Sequence, residues 1–109
     1  MKKIKVVINK QHSLLDNQKD ALMEQGDFEI FPVPEKGWTL DKMLEVQKEL
    51  EEAERVVFVS PIPVLLGELV SSNKVSVGVF HNDCRDKKEL PNGKIIFTPS
   101  QTGWIIHWF

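Results

Sequence analysis

The chain has 109 residues, 41% of them hydrophobic and 28% charged, with a formal net charge of −2 and a pI near 5.9. This length predicts one domain, residues 1–109, with room for a real core. The acidic balance argues against bulk DNA or RNA as a partner, though not against a small anionic ligand in a local positive pocket.

The single cysteine, Cys84, has no intrachain partner, and no Cys/His spacing resembles a zinc site, so no metal or other cofactor is expected. The start, Met1-Lys2-Lys3-Ile4-Lys5, has a signal peptide's charge without its apolar core. No run approaches the roughly 20 apolar residues of a membrane-spanning helix. A cytoplasmic protein with no membrane partner is the expectation.

Residues 4–8 form an apolar, β-branched run that predicts a buried strand. It empties into Asn9-Lys10-Gln11-His12-Ser13. Ser13 followed by Asp16 fits a capping box, which predicts a helix capped by Ser13, with Leu14, Leu15, Ala21 and Leu22 on one side and Gln18 inside the stripe. Gly26 is its natural stop.

Residues 28–33 predict a second strand, ended or held at an edge by Pro32 and Pro34, which lack the N–H of a central ladder. Thr39 then predicts an N-cap, with Leu40, Met43, Leu44, Leu50 and Ala53 recurring at helical spacing. The acids and lysines between them mark a solvated helix face.

Residues 55–59 are nearly continuous in apolar character, as a parallel strand covered on both faces would be. After Ser60-Pro61-Ile62-Pro63, a third helix is predicted with Leu65, Leu66, Leu69 and Val70 inward and Gly67 allowing close approach to the sheet. Residues 74–80 predict a fourth strand. Beyond it, the turn 90–94, a short strand 95–97, a turn 99–103 and a strand 104–109 suggest appended antiparallel hairpins. The fold class expected is α/β, a Rossmann-like parallel sheet flanked by helices with a C-terminal antiparallel hairpin extension.

Ligands of open parallel sheets bind outside the carboxyl ends of the strands, where strand order reverses. Three turns leave that edge: residues 9–13, 60–63 and 81–88. Two of them open helices, and the third brings Arg85, whose planar fork suits phosphate. This convergence suggests a phosphate-bearing ligand. No Gly-x-Gly-x-x-Gly, P-loop or Gly-x-Ser-x-Gly pattern is present, which argues against a common dinucleotide fold, an NTPase or a serine hydrolase.

The path His12-x-Leu14-x-x-x-Gln18, with Val79-Phe80-His81-Asn82-Asp83-x-Arg85, Glu89, Pro91-Asn92-Gly93-Lys94 and a terminal aromatic strand, resembles small stand-alone CRISPR-associated ring nucleases of the Csx type, related to CARF domains. The resemblance implies a homodimer that binds cyclic oligoadenylate, the second messenger of type III CRISPR defence. It also implies metal-independent cleavage of that ring, most simply a tetra-adenylate, by attack of a ribose 2′-OH. The alternative is a CARF-type sensor or sponge that holds the ring without cutting it, and a third is a structural α/β subunit.

Arg85 is the expected charge stabiliser, with His12 and His81 as proton-transfer candidates. Asn9, Gln11, Ser13, Ser60, Asn82, Asp83 and Lys87 are the expected ligand-binding residues. The bland alternatives are a loop position for His12, a cap for Ser13 and a surface ion pair for Arg85 with Asp83, Asp86 or Glu89. In the last strand, apolar bulk on both faces suggests a subunit interface, with His107 a buried, satisfied histidine.

Overall fold

The computed structural model describes residues 3–99 and 102–109. The expected turn at 99–103 therefore lies partly outside the described residues, at Ser100 and Gln101. Element order is β1 (Ile4–Asn9), α1 (Asp16–Gln25), β2 (Phe28–Val33), α2 (Leu40–Leu50), β3 (Arg55–Phe58), α3 (Pro63–Ser72), β4 (Ser76–Asn82), β5 (Arg85–Glu89), β6 (Ile95–Pro99) and β7 (Trp104–Trp108).

Five strands form one sheet in the order β2-β1-β3-β4-β7. The first four run parallel, and β7 lies antiparallel on β4. Strand order reverses between β1 and β3, so the chain steps outward to β2 and returns past β1. The crossovers put α1 on one face and α2 with α3 on the other, as right-handed connections would for this strand order. The two buried clusters reflect this division. Ile4, Val6, Leu22, Val57 and Phe80 pack on the α1 face. Val7, Phe58, Leu50, Leu65 and Leu69 pack on the other. Leu22, Leu50, Leu65 and Leu69 are sealed from water, each contributing about 1.5–3 kcal/mol by burial.

Several local expectations hold. Thr39 caps α2, its Oγ1 accepting from the Lys42 amide at 3.2 Å. Gly26 ends α1 at φ 129°, a conformation that disfavours any side chain. Pro32 sits on β2 at the sheet edge, where its missing N–H costs nothing.

Others are corrected. Helix α1 starts at Asp16, with Leu15 rather than Ser13 at the cap. The Leu15 amide donates to Gln18 Oε1 at 3.0 Å, so the glutamine alone reaches back over the first turn. Val70 is exposed, and a Cβ on Gly67 would meet open space, so α3 does not need that glycine for close packing. In α2 the buried positions are Val46 and Leu50, while Leu40 and Leu44 face water.

The C-terminal part also departs from expectation. Strand β7 is the fifth strand of the main sheet, not part of an appended hairpin. His81 and Asn82 belong to β4 itself, and the charged run Arg85–Glu89 is a strand paired with β6. Together β4–β5 and β6–β7 make one long antiparallel ribbon, interrupted between Asn82 and Arg85 and stitched there by the Asp83 amide to the Gly103 carbonyl at 3.1 Å. The β5–β6 half projects from the body. The radius of gyration is 15.4 Å, against about 13 Å for a compact domain of this length. Among the described residues no helix is long and apolar enough to cross a membrane.

Candidate functional site

The β1–β3 switch point is built around Asn9. Its amide donates to Ser60 Oγ at 3.0 Å, tying the turn after β1 to the turn after β3. Its Oδ1 accepts from the Gln11 amide at 2.9 Å and its carbonyl from the His12 amide at 2.8 Å. An Asx turn is therefore closed over by the main chain, and His12 is held at its end. Asn9 acts here as the organiser of the loop, with its Oδ1 already committed.

Beside this turn lies an open cavity of about 430 Å³ lined by His12, Ser13, Leu15, Gln18, Val59, Ser60 and Trp104. Its volume falls in the range of small-ligand sites, roughly 300–1,000 Å³. Leu15, Val59 and Trp104 supply its apolar lining. The polar groups gather from two turns and from α1. Gln18 is 3% exposed, and its carbonyl oxygen is spent on the Leu15 amide. Trp104 is anchored by its own amide, which donates to Asn17 Oδ1 at 2.7 Å. Its buried indole Nε1 has no acceptor among the described residues. His12 and Ser13 also line a second hollow, of about 350 Å³, with Lys19 and the apolar Ile8, Leu14, Phe28 and Ile30.

The structure thus brings His12, Ser13 and Ser60 together, with Asn9 beneath them. Gln11 is exposed on the same turn. The residues from the third turn stand apart from this cavity. His81 is exposed near the end of β4 and pairs with Asp83, Nε2 to Oδ1 at 3.2 Å. Asn82 is buried, with Nδ2 donating to the Thr102 carbonyl at 3.3 Å and Oδ1 accepting from the Cys84 amide at 2.7 Å. Lys87 lies exposed on β5, opposite Phe97.

Arg85 opens β5 and does not line the cavity. Its Nη1 donates to the carbonyls of Asn82 at 2.8 Å and Cys84 at 3.1 Å. Through Nη1 the exposed guanidinium braces the kink in the ribbon. Cys84 is exposed, with Sγ against Gly103. His107 is exposed on the outer face of β7 beside Phe109, which corrects the expected buried histidine. Among the described residues no group of three His, Cys, Asp or Glu is placed to hold a metal ion.

Leu15, Gln18, Val59 and Trp104 were not identifiable as site residues from sequence. Leu15, Gln18 and Val59 read as core, and Trp104 as an interface residue, because nothing local marks a side chain that reaches a distant cavity. The oversized polar Gln18 within an apolar stripe was the available signal. Comparison with protein-family models, with curated proteins and with solved structures finds no match to this chain.

Proposed function

We propose that the protein binds cyclic oligoadenylate, a tetra-adenylate ring in the simplest case, and cleaves it without a metal. The observation that carries this reading is the meeting of His12, Ser13 and Ser60 in one cavity at the switch point, where α/β sheets bind phosphate-bearing ligands. The hydroxyls and the imidazole supply donors for phosphoryl oxygens, and Leu15, Val59 and Trp104 give the cavity apolar lining for a base. The cavity has room for one nucleotide unit. A two-fold dimer would offer two such cavities to a symmetric ring.

In this chemistry a ribose 2′-oxygen attacks the adjacent phosphorus in line and the 5′-oxygen leaves. A 2′,3′-cyclic phosphate remains at one end and a hydroxyl at the other. His12 takes the proton-transfer role, removing the 2′-OH proton or protonating the leaving oxygen. Ser13 and Ser60 hold the phosphoryl group, so that much of the acceleration comes from positioning. This reassigns the chemistry from Arg85 to the turn after β1.

Incubating pure protein with cyclic tetra-adenylate in EDTA tests the reading. Linear products and a thermal shift are expected. An intact ring with no thermal shift would sink both cleavage and binding. A second reading, a sponge that binds without cutting, is favoured by one specific feature: His12 is the cavity's single acid–base side chain, whereas the reaction needs both a base and an acid. A thermal shift with an intact ring would select it.

A further inference from the structure

We propose that the chain self-associates through β6, whose open edge pairs antiparallel with β6 of a second copy about a two-fold axis. This inference does not rest on the nucleotide reading.

The two strands of the projecting hairpin have opposite characters. Strand β5 is Arg-Asp-Lys-Lys-Glu, exposed along its whole length, the composition with which proteins protect a sheet edge. Strand β6 begins Ile-Ile-Phe, and from Ile95 to Phe109 the sequence carries no Asp, Glu, Lys or Arg. Ile95 is 50% exposed and Phe97 67%. A strand with interior composition therefore lies at an edge, in a two-stranded sheet that pairs with nothing else among the described residues. Such an isolated hairpin is marginal in water.

The backbone supplies the register. The Leu90 amide donates to the Lys94 carbonyl, and antiparallel pairs alternate, so Ile96 and Thr98 turn their hydrogen-bonding groups toward β5. The N–H and C=O groups of Ile95 and Phe97 then point out along the open edge. With the two-fold axis at Ile96, Ile95 of each copy exchanges both bonds with Phe97 of the other, and the two Ile96 side chains meet. The product is a four-stranded sheet, β5-β6-β6-β5, with apolar strands inside and charged strands at both edges.

A second copy suits this edge because β6 has no charge to repel itself. The other available edges fit less well. Pro32 interrupts β2, and at the start of β7 the Trp104 amide, turned outward by the same alternation, is already taken by Asn17.

The test is sedimentation analysis across micromolar to sub-millimolar protein, without nucleotide. Wild type should show dimer mass. Ile96→Lys, which sets two ammonium groups opposite each other, should be monomeric with an unchanged circular dichroism spectrum, whereas Ile96→Val should remain dimeric. Ile96→Cys in a Cys84→Ser background should oxidise to a covalent dimer, because directly opposed residues of this class of pair lie close enough for a disulfide. This second variant decides the matter if Ile96→Lys fails to fold. A monomeric wild type, a dimer unaffected by Ile96→Lys, or a dimer in which Ile96→Cys does not cross-link would overturn the proposal.

Discussion

The amide of Asn9 and the hydroxyl of Ser60, 51 residues apart in sequence, meet at 3.0 Å across the point where strand order reverses. This bond joins the turns after β1 and β3, alongside the Val59 and Ser60 amides, which donate to the Val7 carbonyl at 2.9 and 3.2 Å, and together they help set the spacing between His12 and Ser60 across the cavity.

Ser60→Ala removes the acceptor and leaves a partly buried amide unpaired. A stability loss of about 1 kcal/mol is expected in urea titration, with a smaller thermal shift by cyclic tetra-adenylate. Ser60→Thr, which keeps the hydroxyl, should retain most of both. Equal stability of the alanine variant would mean that water replaces the hydroxyl at no cost.

His12→Ala should separate chemistry from binding. If His12 moves the proton, turnover falls by about 10²–10⁴ while the thermal shift by the ring persists. Full turnover in this variant would remove His12 from the mechanism.

Arg85→Ala should leave turnover within about tenfold of wild type, short of the 10²–10³ typical when a charge-stabilising donor is lost. Amide exchange in β5 and β6 should speed up instead, because Nη1 braces the carbonyls of Asn82 and Cys84. A collapse of turnover with normal exchange would return Arg85 to the chemistry.

Gly78→Ala should destabilise the sheet where β7 joins it. A Cβ there would lie 2.7 Å from Ile106 Cγ2 and 2.9 Å from Trp108 Cε3, so both side chains must shift. Overpacking of this kind costs roughly 1–3 kcal/mol, read as a lower Tm. An unchanged Tm would show that the edge strand moves freely.

The sequence by itself determined the alternating strands and helices, the two covered faces and the blocked edge at Pro32. These follow from periodicity and from groups whose effect is local: a β-branched run, a threonine cap, a glycine at φ 129°. It also marked His12, Ser13 and Ser60, because strand-to-helix turns in a parallel sheet open on one edge by topology. Tertiary structure alone decided the rest. Arg85 reads as a phosphate ligand from its neighbours in sequence, and only the kink in the ribbon shows its Nη1 bonded to two carbonyls, away from the cavity lining. Trp104 reads from sequence only as an interface residue, and the antiparallel return of β7 adds it to the residues that line the cavity. Both outcomes depend on long-range pairing between strands, which leaves no periodic trace in the residues that it brings together.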